Sequence, residues 1–306
     1  MIHVIGNAAV DTIVRIARFP RPGETVVADS AVDDLGGKGA NQAVAIARCG
    51  EPVGLTAAIG ADPPGERIRS SLAAESVKTD GLWVWPGSTD RCLISVDRDG
   101  ENAIVSLIEA ARHFDPLAVT GIGERIAPGD WVALQGNLRP EITRDCLAAA
   151  KRRGATTVLN PSPAYAPADY DWSLVDLAVL NRGEAIELGR RDDPVEAVAT
   201  LRAAGLGAAV LTLGAQGAVL FSTTSESRVA APDVPAVDTV GAGDVFCGSL
   251  IAARAKEFSW SAALRAAAEA AAICVSRPGA QASFPTRAEM SRIFMNCGGT
   301  VAEEPW

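Results

Sequence analysis

VDTVGAGDVFCGSL, residues 237–250, sets Gly241, Ala242 and Gly243 directly before an amphipathic helical pattern. Small residues let the backbone approach a ligand closely and adopt conformations closed to larger side chains. The first N–H groups of a helix lack intrahelical partners and carry the positive end of its dipole. Together these features predict an anion hole suited to a phosphoryl group. Asp244 falls in the first turn, where a carboxylate can take the proton of an attacking hydroxyl. Asp238, earlier in the same loop, can help hold a cation or fix the backbone. Read alone, the stretch fits a helix merely capped by Asp244 better still, because short glycine motifs recur by chance.

Upstream, short apolar runs alternate with alanine-rich helical runs. Strands are expected at Ile2–Ile5, Val53–Ile59, Trp131–Leu134, Thr156–Leu159, Leu177–Leu180 and Ala208–Leu213. Helices are expected at Ala40–Cys49, Glu66–Glu75, Glu141–Arg153 and Val195–Ala204, three of them stopped by Gly50, Gly154 and Gly205. This alternation predicts an α/β fold with a parallel sheet covered on both faces. Two stretches break the rhythm, Asp11–Asp33 and Trp83–Ile108. Each reads as a strand excursion, the second as a hairpin about the turn DRDGE. They form either a small sheet over a site or two ordinary surface hairpins.

LGGKGANQAVA, residues 35–45, is a second glycine loop before a helix. Gly39 follows Lys38 where a Walker loop needs Ser or Thr, and no third glycine completes a dinucleotide fingerprint. Close-approaching backbone with Lys38 and Asn41 suits a polyhydroxylated ligand. A tight strand-to-helix turn is the plainer alternative.

Composition narrows the class. The 306 residues are 48% hydrophobic and 21% charged, enough apolar material for a substantial core. The net charge of −9 disfavours nucleic-acid binding. Six cysteines without CxxC spacing and only two histidines disfavour a zinc site or disulfide scaffold. The start MIHVIGNAAVDTIVRI lacks a basic leader, and no apolar run is long enough to cross a bilayer. These features predict a cytoplasmic protein with reduced thiols and no membrane partner.

LGGKGANQAVA followed far downstream by DTVGAGDVF resembles the two signatures of the ribokinase-like sugar kinases, also called the phosphofructokinase B family. The resemblance runs from Ile2 to about Pro285. FPRPGET (19–25), LNPSPA (159–164), LNRGEA (180–185), LTLGAQG (211–217) and RPGAQAS (277–283) are most similar to the family's ribokinase branch. It implies a three-layer α/β sandwich with a central, mostly parallel sheet and a small β-sheet lid. It implies one kinase domain over residues 1–295, lid strands inserted at about 11–33 and 83–108, and a tail at 296–306. The implied activity is ATP-dependent transfer of a γ-phosphoryl group to a hydroxyl of ribose or a related small sugar. Kinases of a ketohexose or nucleoside, and a non-catalytic sugar binder, are the alternatives.

Site roles follow by resemblance. Asp244 matches the catalytic base, and Gly241, Ala242 and Gly243 match the anion hole. Asp11, Gly37, Lys38 and Asn41 match sugar-binding positions, and Asn137 and Asp244 complete that set. Asn181 and Glu184 match a motif that positions phosphate and, through water, Mg²⁺. Thr212, Leu213, Gly214, Ala215, Gln216 and Gly217, together with Gly243, match nucleotide-binding positions. Asp238, Val240, Cys274, Arg277, Gly279 and Ser283 match positions around a monovalent cation, usually K⁺. The lid implies a homodimer. Each has a plain competitor; Asn181 and Glu184, for example, have the spacing of a capping pair. Departures bear on the sugar. Ala9 replaces an Asn of the ribokinase branch, Asn137 replaces a sugar-binding Glu, and Glu109-Ala110-Ala111 replaces a Gly-Ala-Asn. An amide donates and accepts where a carboxylate only accepts, so a changed hydroxyl pattern is expected.

Overall fold

The computed structural model describes residues 1–98, 101–223 and 226–298. The chain opens with β1 (Ile2–Ile5), makes a hairpin of β2 (Ala9–Ile16) and β3 (Ala28–Gly36), and returns through α1 (Lys38–Arg48) to β4 (Val53–Gly60). Helix α2 (Pro63–Ala74) leads to β5 (Lys78–Trp85) and a second hairpin, β6 (Asp90–Val96) and β7 (Asn102–Leu107). Three short helices, α3 (Glu109–His113), α4 (Pro116–Val119) and α5 (Ile122–Arg125), precede β8 (Trp131–Gln135). Then follow α6 (Pro140–Arg152), β9 (Thr156–Asn160), β10 (Leu177–Asn181), α7 (Arg182–Gly189), α8 (Pro194–Ala203) and β11 (Ala208–Thr212). The hairpin of β12 (Ala218–Phe221) and β13 (Glu226–Val229) leads to α9 (Ala242–Ala255), α10 (Trp260–Val275) and α11 (Arg287–Cys297).

The large sheet runs β13-β12-β11-β10-β9-β8-β1-β4-β5. All pairings from β11 to β5 are parallel, and β12 and β13 add an antiparallel edge. Side chains alternate across a strand, so each strand feeds two cores. Leu177, Val179, Ala208 and Val210 pack with α1, α9 and α10 on one face. Ala178, Leu180, Ala209 and Leu211 pack with α6, α7 and α8 on the other. The expected three-layer sandwich is therefore present.

The two excursions join in one separate sheet of order β3-β2-β6-β7, with β2 and β6 parallel at its centre. Its base is fastened twice. The Asp62 carboxylate accepts the Thr89 amide at 2.9 Å and the Thr89 hydroxyl as well. Asp90 accepts the amides of Ala110 and Ala111 at 2.8 and 3.2 Å. Glu109-Ala110-Ala111 is thus the start of a short helix whose amides face a lid carboxylate. Burial pushes Asp90 up to about 6, against those two amides.

Two boundaries differ from expectation. Trp83–Trp85 belongs to β5 and not to the lid: Ala58 pairs with Trp83, and the Trp83 ring stacks on buried Phe114 with centroids 5.9 Å apart. Asn296 and Cys297 continue α11 instead of opening a tail, while residues 299–306 lie outside the described residues. The turn positions Asp99 and Gly100 also lie outside them.

Helices α1 and α9 touch at Gly248, one turn beyond Asp244. A Cβ there would stand 2.8 Å from Ala45 Cβ and 2.9 Å from the Gln42 carbonyl oxygen. Gly248→Ala is expected to destabilise the fold by about 1–3 kcal/mol through overpacking. A urea melt checks this, and an unchanged midpoint would contradict the tight contact.

Candidate active site

The chain leaves β1 towards β4 and β5, then returns to place β8 on the other side of β1. In open α/β sheets, ligands bind beyond the carboxyl ends of strands at such a reversal. The loops after β1 and β8 emerge there, beside the start of α1.

Helix α9 begins opposite. Its N-cap is Gly241, with φ 79° and no side-chain capping bond. That backbone conformation favours glycine, and a Cβ would lie 2.6 Å from the Phe284 ring. Asp244 is therefore not the cap. It is 5% exposed, and its two oxygens accept from the start of α1: Asn41 Nδ2 donates to Oδ2 at 2.9 Å, and Gln42 Nε2 donates to Oδ1 at 3.2 Å. The early and late glycine loops thus meet in one cleft. Val245 N–H donates to Gly241 O at 2.9 Å, so the amides of Gly243 and Asp244 precede the first helical bond. Glycine 243 has no heavy atom within 4 Å of where a Cβ would sit, which leaves room for a ligand.

The lid supplies the other wall. Asp34, Asp11, Cys92 and Ser106 are cross-strand partners in one row of the small sheet. Asp11 is 6% exposed. Burial pushes its carboxyl up to about 6; the Cys92 thiol, hydrogen-bonded to it, opposes the shift, Asp34 and Asp244 add to it, and Lys38 at the start of α1 opposes it. Asp11 Oδ1, Gln135 Oε1 and Asn137 Oδ1 are buried and have no hydrogen-bond partner among the described residues. Unpaired buried acceptors are costly, so a ligand rich in hydroxyl donors suits this set. Gly37 sits at the N-cap of α1 with φ 87°.

A cavity of about 330 Å³ lies on the far side of the 241–243 loop. Thr212, Gly214, Ala215 and Gly217 line one wall; Ala242, Gly243 and Phe246 line another. Leu213 packs into a core, and Gln216 accepts from Arg182 at 3.2 Å. Asn181 and Glu184 form a reciprocal capping box on α7, each bond 2.9 Å. The plain reading of that pair is therefore real, and it uses one Glu184 oxygen.

The proposed cation positions also converge. Asp238 accepts the amides of Val240 and Gly279 at 2.9 and 3.1 Å. Cys274 lies against the Val240 carbonyl at 3.6 Å and the Ser283 hydroxyl at 3.1 Å. The Arg277 side chain turns away to Glu289, at 2.6 Å.

Sequence reasoning missed four amides: Gln42, Gln135, Asn160 and Gln281. The one signal was that Asn41 and Gln42 stand together at a helix start, so both cannot be surface polar groups once α1 packs.

With this geometry in hand, comparison with known proteins is direct. The pfkB family carbohydrate kinase model matches residues 1–287. The chain belongs to this family. As a pfkB carbohydrate kinase, it is 35% identical to ribokinase of Haemophilus influenzae over 295 residues, which are 94% of this chain and 95% of that one. A crystal structure of Thermotoga maritima ribokinase superposes with a TM-score of 0.88 at 27% identity, covering 97% and 99% of the two chains. A structure of Arabidopsis thaliana ribokinase complexed with ribose and ATP gives a TM-score of 0.85 at 27% identity, covering 95% and 97%. Among the described residues of this pfkB kinase, no helix is long and apolar enough to cross a membrane.

Proposed function

We propose that the chain is an ATP-dependent kinase of a pentose, ribose or a close relative, with Asp244 as general base. The observation that carries this is the Asp244 carboxylate, held by Asn41 and Gln42 between the hydroxyl-seeking wall and the nucleotide-sized cavity. The sugar lies against Asp11, Gly37, Lys38, Asn41 and Asn137. Asn41 keeps one amide hydrogen for it, because the other goes to Asp244 and its oxygen accepts from Gln281. The nucleotide lies along Thr212–Gly217. Asp244 accepts the proton of a primary hydroxyl, and the amides around Gly241, Ala242 and Gly243 face the transferred group. Each such donor lowers the barrier by about 2–4 kcal/mol.

Two ions complete the proposal. Glu184 keeps an oxygen outside its capping box, a donor that suits a hydrated Mg²⁺ beside Asn181. Bound there, Mg²⁺ supplies positive charge to the phosphates. The loops of Asp238, Val240, Cys274, Arg277, Gly279 and Ser283 are drawn together by Asp238, and their carbonyls suit K⁺, whose charge would steady the anion-hole loop. Residues 1–297 act as one catalytic unit, the small sheet serves as lid and homodimer contact, and the six free thiols suit the cytoplasm.

A panel of acceptors with ATP–Mg²⁺, read by ADP release, tests the assignment. Ribose or a close pentose is expected to accelerate release most. Ala9 and Asn137 favour a second reading, a ketohexose or nucleoside acceptor. Acceleration by those compounds and not by pentoses would replace the first reading with it.

A further inference from the structure

We propose that Gln42 is a positioning residue, which fixes the orientation of the Asp244 carboxylate without touching substrate. The inference rests on Asp244 being the base. Gln42 has no solvent exposure at all. Both of its amide hydrogens are engaged, and its oxygen accepts as well. One hydrogen goes to Asp244 Oδ1 at 3.2 Å and the other to Asn160 Oδ1 at 3.1 Å. Its oxygen accepts from Gln135 Nε2 at 2.9 Å.

The partners determine which way the amide faces. Asn160 donates its own nitrogen to the Val179 carbonyl at 2.9 Å, which leaves its oxygen towards Gln42. The Asp244 carboxylate can only accept, so it too needs the Gln42 nitrogen, and the Gln42 oxygen is left to meet Gln135 Nε2. A flipped Gln42 would set acceptor against acceptor at both Asn160 and Asp244. The ends of β8 and β9, with the Val179 carbonyl of β10 behind them, therefore aim one N–H at the carboxylate. Asn41 is different: it keeps a hydrogen for the cleft. Gln42 has none to offer, so any effect it has on turnover runs through Asp244.

Two N–H donors on separate oxygens stop the carboxylate from rotating. Without the Gln42 donor, Asp244 is held at Oδ2 alone and can turn about that contact. A catalytic group misplaced by about 1 Å loses on the order of 10² in rate.

Gln42→Met keeps the volume and removes all three bonds. Its kcat is expected to fall on the order of 10²-fold, with the KM values for sugar and nucleotide unchanged. In an Asp244→Ala background the same substitution is expected to change nothing further, because no carboxylate remains to be oriented. A merely structural role would lower turnover equally in both backgrounds. Asn160→Leu, which removes the acceptor of the second hydrogen and the Asn160 bond to Val179 but leaves the Gln42 bonds to Asp244 and Gln135 in place, supplies an independent variant if Gln42→Met does not fold; a smaller fall in kcat at constant sugar KM is expected. Wild-type kcat in either folded variant, a raised sugar KM with normal kcat, or an equal loss in the Asp244→Ala background would overturn the inference. Near-normal turnover in Asp244→Ala alone would instead remove the base assignment on which it rests.

Discussion

Asp244→Ala is expected to turn over on the order of 10²–10⁴-fold more slowly than the wild-type chain while binding its sugar with unchanged affinity. The carboxylate is buried, and its nearest groups are the amide donors of Asn41 and Gln42. Those donors leave each oxygen with a further lone pair, so the group can still accept a proton from a hydroxyl in the cleft. The other sugar contacts proposed, Asp11 and Lys38, lie on the lid wall and at the start of α1, and the substitution leaves them in place. Alanine is the better replacement, because asparagine would turn an amide hydrogen towards those of Asn41 or Gln42. Steady-state ADP release gives the rate, and calorimetry with sugar alone gives the affinity. A variant that retains most of its turnover would remove Asp244 as the base.

Asp11→Asn is expected to bind sugar about 10–100-fold more weakly, the effect of losing a charged hydrogen-bond acceptor. The same substitution is expected to stabilise the fold at neutral pH. Burial raises the Asp11 carboxyl from the ordinary 3.8 to about 6. Between those values the folded chain holds a proton that the unfolded chain has released, so wild-type stability falls as pH rises through that window. Above pH 6 the destabilisation is complete, on the order of 2–3 kcal/mol, and a neutral amide escapes it. The gain in Tm should therefore be full at pH 7–8 and vanish below about pH 4. A gain that persisted at low pH, or a lower Tm at neutral pH, would show that the carboxylate is not strained by burial. The trade is physical: Asp11 is kept, at a loss of stability, where a sugar hydroxyl can pair it.

The parallel sheet was legible because its strands are short apolar runs, and Leu177–Leu180 is apolar at every position, as a strand covered on both faces must be. The lid was legible as two excursions from alternation in TIVRI and RCLISVD. Its edge was misjudged because Trp83–Trp85 looks like a hairpin strand, whereas pairing with β4 and the stacking of Trp83 on Phe114 hold it in the main sheet. Helices α3, α4 and α5 are too short to show a period. At the site, the glycine loops announced themselves, but whether Asp244 capped its helix or faced a ligand was a tertiary question. It was decided by side chains two hundred positions upstream. The amide network was invisible for the same reason: Gln42 meets Asn160, and Asn41 meets Gln281, only once α1 is seated across the strand ends.

A crystal structure with ribose and a non-hydrolysable ATP analogue would test the central claim most directly, that one carboxylate stands between a sugar wall and a nucleotide cavity. The account requires a primary hydroxyl oxygen within about 3.2 Å of an Asp244 oxygen, with the terminal phosphate at the amides of α9. Sugar bound away from Asp244, or a nucleotide outside the cavity lined by Thr212 and Phe246, would contradict it.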